Sequence, residues 1–269
     1  MIYIYCLDSI YKYFEDYIKS IKKIIGDNEL ILDINKMNNL IISNYNNLNK
    51  YFFLKEIPKN FIDFIRNNSK INNIYLINTE QISKKCWHDY INRLPRNIKI
   101  IDYSYHNLLL YRNNFQTQHI EYQYNDDEIL NLNKNKNIAF IGSKSDYRNN
   151  ILDKIKNTVY VKHIQAWGRN RDEELFQYKI LVNISYNENY KFFETLRCYR
   201  CLFNKMIIIS DIKDDINYLK YKDFIIFVNY ENLADKVLEV FNNYEYYYKK
   251  LNLENIDKFI DKNNDFKLI

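Results

Sequence analysis

Along the whole chain, short apolar runs alternate with stretches in which apolar residues recur at helical intervals. Ile2–Leu7 is apolar and closes at Asp8-Ser9, which predicts a buried strand with Ser9 as a cap for the next helix. From Ile10 to Ile25 the apolar positions Tyr13, Phe14, Tyr17, Ile18, Ile21, Ile24 and Ile25 fall on one helical face, and Gly26 ends it. Glu29–Ile34, Leu40–Ser43 and Phe52–Leu54 read as further strands, and a helix opens near Pro58, a residue favoured in the first helical turn. Asn73–Asn78 is another strand, ending in the polar Thr79-Glu80-Gln81. A helix over Ser83–Arg93 and a strand over Lys99–Asp102 follow. Such alternation is the pattern of a parallel sheet with helical crossovers.

A polar, weakly periodic interval from Asn113 to Lys136 interrupts it, and the alternation then restarts. Ile138–Ile141 predicts a strand, Gly142-Ser143 a turn and Tyr147–Ile155 a helix. Thr158–Lys162 is a strand, Arg171–Tyr178 a helix and Ile180–Ile184 a strand. Lys191–Phe203 is a helix, Met206–Ser210 and Phe224–Val228 are strands, and Asn232–Lys250 is a long amphipathic helix. The expected architecture is α/β, with two Rossmann-like domains over residues 1–125 and 126–269. No repeat relates the two halves.

Composition changes this picture little. Hydrophobic residues are 47% and charged residues 27%, which excludes wholesale disorder. The chain holds 27 Tyr and 16 Phe against 3 Gly and 2 Pro, together with an excess of Asn, Ile and Lys, the bias of an AT-rich genome. The aromatics are spread over the whole length instead of being interleaved with basic residues on one face, so a nucleic-acid surface is not expected. A net charge of +5 suits an anionic small ligand without demanding one. The Cys198/Cys201 pair sits inside a predicted helix, not at a strand-to-helix turn, and reads as packing in a reducing compartment. No apolar stretch approaches a membrane span and the N-terminus lacks a signal-peptide pattern, so a soluble, cytoplasmic protein is expected. Oligomeric state is open.

Ligands of open parallel sheets bind beyond the carboxyl ends of the strands, which selects three segments. The first is Gly142-Ser143-Lys144 through Arg148, where a glycine lets the backbone approach a phosphate and a helix N-terminus follows. The second is the connection carrying Trp167, Arg169 and Arg171, with a ring to stack and guanidinium groups to fork onto phosphate. The third runs from Asn183 through Ser185 and Tyr186 to Glu194 and Arg197. There a carboxylate in the first turn of a helix can accept from a vicinal diol. The plain alternatives are a tight turn, a packed Trp and a surface ion pair.

Together, Phe-Ile-Gly-Ser (140–143), Trp-Gly-Arg-Asn-Arg-Asp (167–172), Ile-Leu-Val-Asn-Ile-Ser-Tyr (180–186), Phe-Glu-Thr-Leu-Arg-Cys-Tyr-Arg (193–200) and Met-Ile-Ile-Ile-Ser-Asp (206–211) resemble the donor-binding half of GT-B glycosyltransferases. The resemblance is strongest to the short, family-1-like versions of bacteria and large DNA viruses. It covers roughly residues 138–250. It implies an interdomain cleft, with a nucleotide-sugar donor, expected to be a UDP-sugar, on the second domain and a glycan or other hydroxyl acceptor on the first. Gly142 and its neighbours would face the diphosphate. Glu194 would hold hydroxyls of the ribose or sugar, supported by Arg197 or Arg200. No bound metal is implied. Ser185 stands where relatives often have histidine and Asp211 where they often have glutamate. Glu188 and Glu194 do not reproduce the glutamate spacing of many retaining members, so no anomeric outcome is implied. An inverting enzyme would need a base on the first domain, where Asp8, Glu80 and His106 are the candidates by position. The competing readings are a non-catalytic nucleotide-sugar or carbohydrate-binding protein on the same fold, and an unrelated α/β enzyme or response-regulator-like pair of domains.

Overall fold

The computed structural model describes residues 1–260 apart from residues 27, 45–48, 69, 83, 121, 123 and 191. It divides into two compact units, one ending at residue 123 and the next opening at Tyr124. Each is a wholly parallel sheet of the described strands with helical crossovers.

The first unit runs β1 (Ile2–Tyr5), α1 (Asp8–Ile25), β2 (Asn28–Ile31), α2 (Ile34–Asn44), β3 (Lys50–Leu54), α3 (Lys59–Asn67), β4 (Ile74–Asn78), α4 (Lys85–Asn92), β5 (Lys99–Asp102), α5 (Tyr105–Tyr111) and β6 (Gln116–His119). Its strand order is β2-β1-β3-β4-β5-β6. The central strands are buried on both faces, which is why they read as unbroken apolar runs instead of alternating ones. Tyr51, Phe52, Phe53 and Tyr75 are fully buried, and the Phe52 and Tyr75 rings stack with centroids 4.5 Å apart across the β3–β4 register.

The second unit runs β7 (Lys136–Ile141), α6 (Asp146–Lys156), β8 (Val161–Ile164), α7 (Gly168–Leu175), β9 (Tyr178–Asn183), α8 (Thr195–Phe203), β10 (Ile207–Asp211), β11 (Ile225–Val228), α9 (Leu233–Asn242) and α10 (Tyr244–Lys250). Its order is β11-β10-β9-β7-β8. Counted from its own first strand this is 5-4-3-1-2, and the first unit begins with the same arrangement.

Several sequence expectations need correction. Ser9 lies inside α1 instead of capping it, because the helix already begins at Asp8. Leu40–Ser43 is not a strand but part of α2. Met37 and Ile41, four apart, are both fully buried, so a helical face outweighs the short apolar run. Glu29–Ile34 contracts to β2, because Ile34 already begins that helix. The long helix over Asn232–Lys250 is two helices separated at Asn243, whose φ of −121° and ψ of 37° leave the helical region. Inside the polar interval from Asn113 to Lys136 lies β6, an edge strand of Gln, Thr, Gln and His that no hydrophobic signal marks. Ser83 and Lys191, where the pattern opens two helices, lie outside the described residues, and the helices there run over Lys85–Asn92 and Thr195–Phe203.

Candidate active site

In the second sheet the chain leaves β7 for β8 on one side and returns to β9 on the other, so β7 and β9 flank the topological switch point. Ligand crevices of open α/β sheets form there, at the carboxyl ends of the strands. Gly142 follows β7 directly with a φ of +136°, and a Cβ in its place would stand 3.0 Å from Nη1 of Arg148. Only glycine fits that turn without strain. Ser145 caps α6, its Oγ accepting from the Arg148 amide at 3.2 Å and donating to the Tyr186 carbonyl at 2.6 Å. Arg148, in the first turn of α6, is buried and ties the two loops together. Its Nε donates to the Ile184 carbonyl at 2.9 Å and its Nη1 to the Ser143 carbonyl at 2.8 Å. Burial, and then the charge of Arg197, lower the Arg148 pKa to about 10. On the far side of β7, His163 Nε2 lies 2.8 Å from the Gly142 carbonyl, so the loop is held from both flanking strands.

A second layer of polar contacts runs along the ends of β9 and β10. Arg197 Nη1 donates to Asn183 Oδ1 at 3.0 Å, and Asn183 Nδ2 donates to Ser210 Oγ at 3.0 Å. Buried Lys213 pairs with Asp211 at 2.7 Å and donates to Ser185 Oγ, which itself donates to the Tyr190 carbonyl at 3.0 Å. Burial lowers the Lys213 pKa, and Asp211 opposes that shift. Asp215 accepts from the Phe193 amide at 3.0 Å, and burial raises its pKa to about 6. Glu194 immediately precedes α8 instead of lying in its first turn, and its charge acts on both Arg148 and Lys213. The switch point therefore carries three cations, Arg148, Arg197 and Lys213, balanced against the carboxylates of Glu194, Asp211 and Asp215.

At the carboxyl edge of the first sheet, Asp102 is fully buried at the end of β5 and accepts from Asn78, Ser104, Asn107 and Tyr111. Burial raises its pKa to about 7 against the effect of those donors. Glu80 sits in the loop after β4 with Lys55 Nζ 3.4 Å from its Oε1. Asp8 is exposed at the start of α1, and His106 is half-buried on α5.

No protein-family model matches the chain. An uncharacterized protein of Acanthamoeba polyphaga mimivirus, L140, is 33% identical over 253 residues, which is 88% of this chain and 78% of that protein. The chain belongs to this mimivirus family. A second, longer uncharacterized protein of the same virus is 34% identical over 88% of the chain, which spans only 28% of that relative's length. Among solved structures, WaaG, a glycosyltransferase involved in lipopolysaccharide biosynthesis, superposes with a TM-score of 0.60 over 98% of this chain and 96% of its own, at 7% identity. An α1,3-fucosyltransferase with GDP-fucose superposes with a TM-score of 0.51 over 100% of this chain and 82% of its own, at 13% identity. The fold is GT-B, as the motifs over residues 138–250 imply.

The expected donor residues Gly142, Ser143, Arg148, Ser185, Tyr186, Glu194 and Arg197 all come to the β7–β9–β10 edge of the second unit. Lys144 is exposed on the Gly142 loop, and Trp167 is exposed at the entrance to α7. Two expectations change. Arg200 does not support Glu194, because its guanidinium is buried against Glu128 and Asp172. Arg171 pairs with the same Asp172 at 2.7 Å, so its fork faces a carboxylate of its own helix. Lys213 and Asp215 were not singled out in the sequence. Their only local signal is the Asp-Ile-Lys-Asp-Asp run after β10, which reads as a solvated turn. Among the described residues no helix is long and apolar enough to cross a membrane, and no cluster of three or more His, Cys, Asp or Glu has metal-binding geometry.

Proposed function

We propose that the chain is a glycosyltransferase whose second unit binds a nucleotide-sugar donor, taken to be a UDP-sugar, at the β7–β9 switch point. The observation that carries this reading is the Gly142 loop. It is a positive-φ turn at the start of an eleven-residue capped helix, held by Arg148 against the loop after β9. Such a loop offers backbone and helix-terminal N–H groups to a diphosphate. Lys144, Arg197 and Lys213 add positive charge along the same edge, where charge develops on the departing diphosphate. Glu194 is the group for donor hydroxyls, Trp167 the stacking surface, and Ser143, Ser185 and Tyr186 complete the lining.

The acceptor is a hydroxyl of a glycan or similar molecule, bound on the first unit. In transfer, the acceptor oxygen attacks C1 of the sugar as its proton passes to a base. The C1–O bond to the diphosphate breaks, and that electron pair leaves with the nucleoside diphosphate. Asp8, Glu80 and His106 are the proposed bases. The nearest rival donor is a GDP-sugar, the kind present in the fucosyltransferase structure.

The test is a thermal-shift panel of UDP, GDP, TDP, CDP and ADP with their sugar conjugates, followed by a transfer and donor-hydrolysis assay on the ligand that binds. One diphosphate should stabilise the protein, and Glu194→Ala should abolish turnover and the extra stabilisation from the sugar. Binding without transfer or hydrolysis would make the chain a nucleotide-sugar-binding protein. Binding of none would sink the donor site.

A further inference from the structure

We propose that Asn78, Asp102 and Asn107 are positioning residues that hold Glu80 as the proton acceptor of the transfer, an inference that rests on the transferase reading above. Glu80 lies just beyond β4, two residues past Asn78, the last paired position of that strand. Two asparagine side chains supply partners for its backbone. Asn78 Oδ1 accepts from the Glu80 amide at 3.2 Å, and Asn78 Nδ2 donates to the Glu80 carbonyl at 2.8 Å. Asn107 Nδ2 donates to the same carbonyl at 2.9 Å, while its Oδ1 accepts from the Ile82 amide at 3.2 Å. The main chain of Glu80 is thus bonded through both its N–H and its C=O.

What prevents the two amides from rotating is Asp102. Asn78 Nδ2 donates to its carboxylate at 2.6 Å and Asn107 Nδ2 at 3.1 Å, while the Ser104 amide at 2.8 Å and the Tyr111 hydroxyl fix the carboxylate itself. Asn78, Asp102 and Asn107 are all buried, so no water competes for these bonds. The side chain of Glu80 is oriented from the neighbouring strand end. Lys55 leaves β3 with a φ of +71°, a left-handed conformation unfavourable for any residue with a Cβ. Its amide still continues the sheet to the Ile77 carbonyl at 2.9 Å, and its Nζ reaches Glu80 Oε1 at 3.4 Å. Strain of this kind gathers at functional sites, where it is offset by the surrounding structure.

A catalytic base must be held to a fraction of an ångström, and side chains locked by hydrogen bonds behind it are how proteins achieve that. Glu80 has that support, whereas Asp8 is exposed at the start of α1. With Glu80 on the acceptor oxygen's proton and no covalent sugar–enzyme step, the product forms with inversion at C1.

Hydrogen exchange and steady-state kinetics on Asn107→Leu, Lys55→Met and Glu80→Gln test this. Asn107→Leu should speed exchange of the Ile82 amide at least tenfold and lower kcat at least tenfold, with the donor KM unchanged. Lys55→Met, which removes the ion pair to Glu80 and the ammonium over the Trp87 ring, should lower kcat with loop exchange unchanged. Glu80→Gln should abolish transfer while donor binding persists. Unchanged exchange in Asn107→Leu overturns the hold of the network on the loop, and transfer surviving in Glu80→Gln, or a retained anomer, overturns the role of Glu80. No transfer by the wild type from any donor would instead overturn the transferase reading itself.

Discussion

Gly142 and Arg148 show how two residues share one constraint. Gly142 turns the chain at a φ of +136°, and the space a Cβ would need is taken by the guanidinium 3.0 Å away. Gly142→Ala therefore adds a backbone cost of about 1–3 kcal/mol and crowds Arg148 Nη1, which donates to the Ser143 carbonyl. Chemical denaturation should report the stability loss, and nucleotide affinity should fall with it. A variant of wild-type stability and affinity would show that the turn relaxes freely. Asp102 makes a different prediction at the same scale. Its pKa is raised in the fold to about 7, well above the value of an unfolded Asp, so between those pH values the native state binds a proton that the unfolded state has lost. Stability is then present below the unfolded pKa and declines as pH rises towards 7, by up to about 1.4 kcal/mol per pH unit for one proton. Asp215, raised to about 6, acts with the same sign. Urea titrations at pH 5, 6 and 7 should show this fall, and Asp102→Asn should flatten it by about one proton's worth.

Among the elements, α8 is the one on which most depends, because Glu194 precedes it and Arg197 and Arg200 lie within it. Arg200 donates to Glu128, in a single helical turn over Asp126–Glu128, and to Asp172 on α7. Asn204 adds bonds from the end of α8, donating to the Glu128 carbonyl at 2.8 Å and accepting from the Leu130 amide at 3.0 Å. The helix is thereby fixed at its own C-terminal half to both α7 and the start of the second unit. Arg200→Met would remove the buried guanidinium between Glu128 and Asp172 and leave Asp172 to Arg171, a loss of about 3–5 kcal/mol. Replacing Glu128 by an apolar residue of similar size in the same variant, with the Arg171–Asp172 pair kept, should restore part of it, as a denaturation series can measure. The cap of α6 is a smaller matter. Ser145→Ala removes an N-cap worth about 1 kcal/mol, together with the bond to the Tyr186 carbonyl, so loop mobility should rise more than global stability falls.

At the scale of the molecule, the two units repeat one strand arrangement but present different chemistry at their carboxyl edges: a glycine turn with three cations in one, a buried carboxylate under a glutamate loop in the other. A saturating nucleotide diphosphate, at about 100 times its Kd, should stabilise the fold by about 2.7 kcal/mol. Protection from hydrogen exchange should concentrate at residues 142–148, 184–190 and 211–213, and protection centred on the first sheet would place the ligand elsewhere. Most of this fold was legible in the residues because strand and helix runs are set by near neighbours: Ile138–Ile141 followed by Gly142-Ser143 reads as a strand and turn from six adjacent positions. Where polar residues form an element, as in β6, or where a helical face and a strand run compete, as at Leu40–Ser43, local pattern fails because only packing chooses between them. The candidate site divides the same way. The chain alone determined which segments follow the strand ends and that Gly142, Glu194 and Arg197 belong to them. Only the tertiary structure decided that Arg148 bonds a carbonyl 36 residues away, that Arg200 turns to a carboxylate 72 residues away, and that Lys213 is buried against Asp211. Those choices depend on which charges lose water together, and no local pattern contains that information.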